Sequence, residues 1–296
     1  MTELLRDPFT VIDGGLSTVL EEMGEQPAGL LWTAAALIDR PEILTTAHRR
    51  YVDAGADVII TSSYQASEPG FVRAGFSAPE ARRLLASTTV VARAAEPLVV
   101  ACSVGPFGAY LGDGSEYSGH YGATWAEVRA FHRARLKVLV DTNPDVFAVE
   151  TIPSRAEAEI VVEELRALTD ASAWVTFTCA DGMHTCGGDV FADAVAAVAP
   201  TLTAVGVNCT APGLVLPLLT SVAIDLPLVV YPNHGADWDG DHKCWSGPTN
   251  GVEFPGLVPA WLAAGARLIG GCCGVGTAGI AALADLRRSK SLDAER

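Results

Sequence analysis

The stretch Arg267–Gly274, RLIGGCCG, joins a short apolar run to two adjacent thiols, and Ala204–Cys209, AVGVNC, repeats the pattern with one. Both apolar runs have the character of buried β-strands, so each cysteine stands where a strand gives way to a loop. Working outward, further runs bounded by turn residues bring the expected strands to eight: Phe9–Asp13, Asp57–Ser62, Leu98–Ser103, Val146–Glu150, Ala173–Thr178, Ala204–Asn208, Leu228–Tyr231 and Arg267–Gly270. Most are rich in Val, Ile or Phe and lack clean alternation, as strands covered on both faces do. Helical stretches lie between them, clearest at Pro79–Ala95, Trp125–Asp141, Ser154–Thr169 and Asp189–Ala199. Ser154 and Glu157 have capping-box spacing, and Asp189 suits an N-cap.

Eight strand–helix alternations in 296 residues match a (β/α)8 TIM barrel better than a doubly wound sheet. No Gly-, Ser- or Pro-rich linker divides the chain, so residues 1–296 are expected to form a single domain. The irregular stretch Gly105–Thr124 is too long for a plain connection and is expected to lie over the active site. The closing SKSLDAER is expected to be a polar tail.

Composition narrows the function classes. The formal net charge is −15, and the lysines are three, Lys137, Lys243 and Lys290. With no basic run, this balance argues against a nucleic-acid partner, because phosphate binding needs clustered cations. The start, MTELLRDPF, lacks the apolar stretch of a signal peptide. Gly213–Pro232 is apolar enough to resemble a membrane span, but Pro217, Asp225 and Pro227 interrupt it, and it reads as helix, turn and strand. A soluble cytoplasmic protein is the expectation, with reduced thiols whose clustering points to metal or catalysis.

A barrel places its chemistry at the C-terminal ends of its strands. Those ends carry Asp13-Gly14-Gly15, Ser62-Ser63-Tyr64-Gln65, Glu150-Thr151, Asn208-Cys209, Tyr231-Pro232-Asn233 and Cys272-Cys273. Three thiolates from Cys209, Cys272 and Cys273 would form a soft, negatively charged cage, for which zinc is the favoured divalent ion; an open fourth position would make the site catalytic. The remaining cysteines, Cys102, Cys179, Cys186 and Cys244, are read as packing residues. Asp13 and Glu150 suit a substrate ammonium group, and backbone N–H groups at Gly14 and Gly15 suit its carboxylate, which together describe an amino acid. Asn208 is placed with them as a substrate-binding residue. His48 and His132 fall in helices and are expected at the surface. His234 follows a strand end, and His120, His184 and His242 lie in loops; each has the chemistry of a zinc ligand or acid–base group. Trp238 and Trp245 are expected in a loop after the seventh strand.

The motifs DGGLSTVLEEMG from Asp13, SYQAS from Ser63, VGPFGAYLGDGSEYSGHY from Val104, ETIPS from Glu150, GVNC from Gly206, YPNHG from Tyr231 and GGCCG from Gly270 resemble those of the homocysteine S-methyltransferase family. The resemblance runs from Asp13 to about Gly279 and is closest to the branch using S-methylmethionine or S-adenosylmethionine. It implies a (β/α)8 barrel with zinc held at Cys209, Cys272 and Cys273, and a homocysteine amino group met by Asp13 and Glu150. A methyl-sulfonium donor is the implied second substrate, betaine an alternative donor, and a homo-oligomer is compatible with it. Two departures stand out. Gly274-Val275-Gly276-Thr277 replaces the Arg-Thr that usually follows the double cysteine, and His234 stands where a small residue is usual. The rival readings are a covalent cysteine nucleophile in a hydrolase and a non-catalytic barrel that binds zinc or an amino acid.

Overall fold

Eight parallel strands form a ring: β1 (Thr10–Val11), β2 (Val58–Ile60), β3 (Val99–Val104), β4 (Val146–Ile152), β5 (Ala173–Phe177), β6 (Ala204–Asn208), β7 (Leu228–Tyr231) and β10 (Ala266–Ile269). Their spatial order is β1-β10-β7-β6-β5-β4-β3-β2, and a parallel bridge between Ile12 and Val58 joins the two ends. The computed structural model describes residues 5–6, 8–25, 32–235, 237–239, 244–246 and 254–294. The TIM barrel expected from the strand–helix alternation is therefore what the chain forms, with its strands close to the expected positions.

Strand side chains alternate between two environments. Val58, Val99, Val146, Trp174, Ala204 and Leu268 fill the barrel interior. Their neighbours Ile59, Val100, Phe147, Val175, Val205 and Ile269 belong to the larger core that includes the helices. Burying each large apolar side chain contributes about 1.5–3 kcal/mol before entropy is counted. Continuing the same two-residue period toward the strand ends brings Ser103, Glu150 and Asn208 onto the inward-facing rows. The interior thus changes from apolar to polar as the strands approach their C-terminal rim. Tyr231 marks the transition: its hydroxyl accepts from Trp174 Nε1 at 3.2 Å and lies 2.8 Å from Thr176 Oγ1.

Several local expectations are corrected. Ser154 Oγ accepts from Glu157 N–H at 3.3 Å, but the Glu157 side chain does not return to Ser154 and is used elsewhere. Asp189 does not cap the next helix, which runs Phe191–Val198 behind Val190; its carboxylate accepts from Arg155 N–H at 2.7 Å. Trp238 and Trp245 pair across an antiparallel hairpin, β8 (Asp237–Asp239) and β9 (Cys244–Ser246), so this segment is not a plain loop. The tail does not stand apart either, because the last helix runs Thr277–Ala294. His242 lies outside the described residues, as does the side chain of Cys244. The apolar stretch before Pro232 does resolve into a helix, Pro212–Ser221, and β7. No described helix is long and apolar enough to cross a membrane.

His48 and His132 are fully buried, not superficial. His48 shares the inner face of the helix Pro41–Asp53 with Leu44, Ala47 and Tyr51. Neither of its ring nitrogens has a hydrogen-bond partner, and burial pushes its pKa down to about 4. The unfolded chain therefore takes up a proton below about pH 6.5 that the folded chain refuses until about pH 4. The associated stability is present above the upper value and is lost as pH falls through this window, by about 3 kcal/mol in full. His48→Leu should remove that acid lability. Thermal unfolding of the two proteins should differ more at pH 5 than at pH 8, with the variant the more stable at pH 5.

Candidate metal and substrate site

The rim cavity has a volume of about 220 Å³, and its walls include Asp13, Glu150, Glu116, Cys209, Cys272 and Cys273. The sulfurs converge. Cys273 Sγ lies 3.8 Å from Cys209 Sγ and 3.9 Å from Cys272 Sγ, and all three lie within 4.8 Å of one another. One ion can touch all three. Backbone geometry brings this about: Cys209 follows β6 with φ of +48°, in the left-handed region that non-glycine residues seldom occupy. Its N–H donates to Tyr231 O at 3.1 Å, while Cys272 N–H donates to Pro232 O at 2.8 Å. Thiol hydrogen bonds from Cys272 and Cys273 hold Cys209 well below the usual thiol range, and the same sharing raises the other two.

Gly14 and Gly15 permit the close approach of β1 to the cysteine turn. A Cβ on Gly14 would lie 2.3 Å from Val275 O, and one on Gly15 would lie 2.8 Å from Cys272 O. Gly15 N–H donates to Val275 O at 3.1 Å. That amide is thus committed within the protein, contrary to its expected exposure to a ligand.

Neither of the two acids forms an ion pair among the described residues, although the charge of the more distant Arg135 acts on Glu150. Asp13 Oδ2 accepts from Ile60 N–H at 2.9 Å, and Glu150 Oε1 accepts from Ser103 Oγ at 2.5 Å. The neighbouring Tyr231 hydroxyl also favours the charged form of Glu150. Burial, reinforced by the charge of Glu150, raises Asp13 well above the usual carboxylate range. Burial likewise pushes Glu150 up to about 7, against the hydrogen bonds that favour its charged form.

Asn208 is buried behind this wall. Its Oδ1 accepts from Thr151 N–H at 2.7 Å and its Nδ2 donates to Thr151 Oγ1 at 2.8 Å. It steadies a strand end where Thr151 has a φ of +58°.

Other groups at or behind the rim were not assigned to the site from sequence. Tyr117 places its hydroxyl 3.3 Å from Cys209 Sγ. Glu157 accepts from Phe107 N–H at 2.6 Å, lies 2.9 Å from His132 Nε2 and accepts from Tyr121 Oη. Both flanks of the rim loop are therefore tied to one buried carboxylate. Arg135 Nη1 donates to Gly105 O at 2.9 Å, while Nη2 reaches Ser63 O and Tyr64 O at 2.5 and 2.7 Å. A signal was present for the helix residues: His132 and Arg135 share the helical stripe of Val128, Leu136 and Leu139.

The family model for homocysteine S-methyltransferases matches residues 10–287. The chain belongs to that family. It is 41% identical over 289 residues to homocysteine S-methyltransferase 1 of Zea mays, covering 89% of each chain. It is 40% identical to the homocysteine S-methyltransferase of Escherichia coli strain K12, covering 94% of this chain and 95% of the relative. The crystal structure of the metallated form of the E. coli homocysteine methyltransferase MmuM superposes with a TM-score of 0.83 at 38% identity, covering 94% and 96% of the two chains. The chain is accordingly a methyltransferase.

The two departures from the family pattern meet in space. Gly274 has a φ of +77°, and a Cβ there would lie 2.3 Å from His234 Cγ. His234 N–H donates to Cys273 O at 3.0 Å. The histidine ring thus packs where a side chain at position 274 would stand. Gly274→Ala should destabilise by at least the 1–2 kcal/mol typical of an L-residue in this region, about 1 kcal/mol remaining when His234→Ala removes the clash. Denaturant unfolding of the single and double variants measures both parts.

Proposed function

We propose that the chain transfers a methyl group from a sulfonium donor, S-methylmethionine or S-adenosylmethionine, to the thiol of L-homocysteine, with zinc held by Cys209, Cys272 and Cys273. The supporting observation is the sulfur trio on the wall shared with Asp13 and Glu150. A tetrahedral zinc with bonds of about 2.3 Å has ligand–ligand edges of about 3.8 Å, and two of the sulfur separations here are 3.8 and 3.9 Å. Thiolates are soft ligands suited to zinc, and three protein ligands leave a fourth position for substrate. Bound there, zinc supplies the Lewis acidity that keeps an incoming thiol deprotonated at neutral pH.

For a thiol of pKa about 8.5, recovering the thiolate at pH 7 is worth about 2 kcal/mol. Alignment of the attacking sulfur with the methyl group is the larger effect, about 7–11 kcal/mol in well-oriented cases. This chain's residues supply that alignment. Asp13 and Glu150 take the homocysteine ammonium, Ser103 and Tyr231 orient Glu150, and Gly14 N–H faces the substrate carboxylate. Asn208 acts from behind, by fixing Thr151. The homocysteine sulfur attacks the donor methyl carbon while the carbon–sulfonium bond breaks. Its electron pair leaves with the donor sulfur as a neutral thioether, and methionine is released. The transfer itself needs no general base.

Metal analysis coupled to methionine formation tests the reading. Purified protein should carry about one zinc per chain, and Cys209→Ser, Cys272→Ser and Cys273→Ser should each lose metal and lower kcat by about a thousandfold or more. Undiminished turnover after exhaustive chelation would refute it.

The pH dependence carries its own sign. Glu150 is charged only above about 7, so homocysteine binding should weaken as pH falls through that value. The kcat/KM for homocysteine should drop about tenfold per pH unit on the acid limb. Glu150→Gln should flatten this limb and raise KM at pH 8 about 10- to 100-fold, as loss of a charged hydrogen bond does.

A further inference from the structure

Two acceptor oxygens at the cavity are left unused by the chemistry above. Glu116 lies in the turn Ser115–Tyr117, is 8% exposed, and lines the cavity. Its Oε2 is buried with no hydrogen-bond partner, and the same holds for Oε1 of Gln65 in the same wall. A desolvated carboxylate oxygen without a partner is costly, by several kcal/mol in apolar surroundings. The fold nevertheless fixes it in place. Asp113 Oδ1 accepts from Ser115 N–H at 3.0 Å, and the backbone at Gly108 is so close that a Cβ there would lie 2.3 Å from Glu116 N. Tyr117, the next residue, reaches Cys209 Sγ at 3.3 Å.

The missing partner must be a cation that carries hydrogen-bond donors. Protein does not provide it: among the described residues Glu116 forms no ion pair, and the charges that act on it, Asp113 and Cys209, are negative. Homocysteine does not provide it either, since its single ammonium is taken by Asp13 and Glu150. A sulfonium centre has positive charge but no N–H. An ammonium has three donors, enough for both Glu116 and Gln65.

We infer that Glu116, assisted by Gln65, receives the α-ammonium group of the methyl donor and thereby selects sulfonium compounds that are amino acids. This subsite rests on the methyl-transfer reading and adds to it the residues that read the donor's ammonium group. Asp13 and Glu150 serve the acceptor's ammonium, and Glu116 and Gln65 serve the donor's.

The test compares two sulfonium probes on the zinc-loaded enzyme at saturating homocysteine: S-methylmethionine, and dimethylsulfoniopropionate, which keeps the sulfonium and carboxylate but has no ammonium. Wild type should favour S-methylmethionine in kcat/KM by about a hundredfold or more. Glu116→Gln should lower kcat/KM for S-methylmethionine by about 10- to 100-fold and for dimethylsulfoniopropionate by less than about threefold. Gln65→Leu should shift selectivity in the same direction by a smaller factor. Equal losses on both probes, or selectivity unchanged in both variants, would overturn the assignment. Calorimetric homocysteine binding and thermal unfolding identify a variant that has lost its fold; the other variant then decides. No methyl transfer by wild type from either probe would instead sink the methyl-transfer reading, before the subsite is reached.

Discussion

The site depends on a main-chain clamp around the turn Gly271–Val275. Gly271 N–H donates to Asp13 O at 3.0 Å, Gly15 N–H to Val275 O at 3.1 Å, Cys272 N–H to Pro232 O at 2.8 Å and His234 N–H to Cys273 O at 3.0 Å. The end of β1 and the segment after β7 thereby hold the double cysteine from both sides. Without such restraint, two consecutive residues would not keep both sulfurs near one point, and Cys209 would lack its partners. The clamp also explains the small residues around it, because Gly14 and Gly15 lie within side-chain distance of the carbonyls of Val275 and Cys272. Geometry this tight orders ligands before metal or substrate arrives, which reduces the entropy cost of binding.

Charge is distributed with equal purpose. Several acids away from the rim are paired: Asp57 with Arg287, Asp145 with Arg93, and Glu164 with Arg129 and Arg133. Asp57 and Asp145 also accept from the strand amides of Val11 and Val100, at 2.9 and 2.7 Å. At the rim, Asp13, Glu150 and Glu116 have no ion pair among the described residues, and burial raises all three. The net charge of −15 is thus not uniform in meaning. The paired acids named above tie elements of the barrel to one another, while the buried, unpaired acids at the rim carry an electrostatic deficit that a cationic ligand would relieve. The pattern fits a site that handles ammonium groups better than one that handles phosphates.

Much of this was legible in the sequence because parallel strands buried on both faces read as apolar runs, and their polar terminators read as the rim. Asp13, Glu150, Cys209 and the double cysteine could be placed in this way, each at a strand end and near the others once the barrel closed. What escaped reading depends on contacts between distant segments. Glu157 has the spacing of a capping-box residue, yet its carboxylate serves Phe107, 50 positions away in sequence. Arg135 lies in a helix whose polar residues suggest a solvent face, but its guanidinium crosses to Ser63 O. His48 and His132 were misplaced because residue type was weighed above position. Both lie on the apolar stripes of their helices, and position decides burial.

The rim loop shows how the hidden residues serve the visible ones. A long irregular segment over an active site invites description as a lid, but this one is fastened. Phe107 and Tyr121, on either side of the Ser115–Tyr117 turn, share the Glu157 carboxylate, while Arg135 holds the carbonyl of Gly105. Between these anchors, Tyr117 meets the sulfur cluster and Glu116 faces the cavity. Replacing Glu157 would strand several buried donors at once, a larger loss than that of one surface hydrogen bond. The Glu116 side of the cavity is therefore as firmly anchored as the sulfur side. Its geometry descends from a buried helix residue, Glu157, that is not part of the cavity wall.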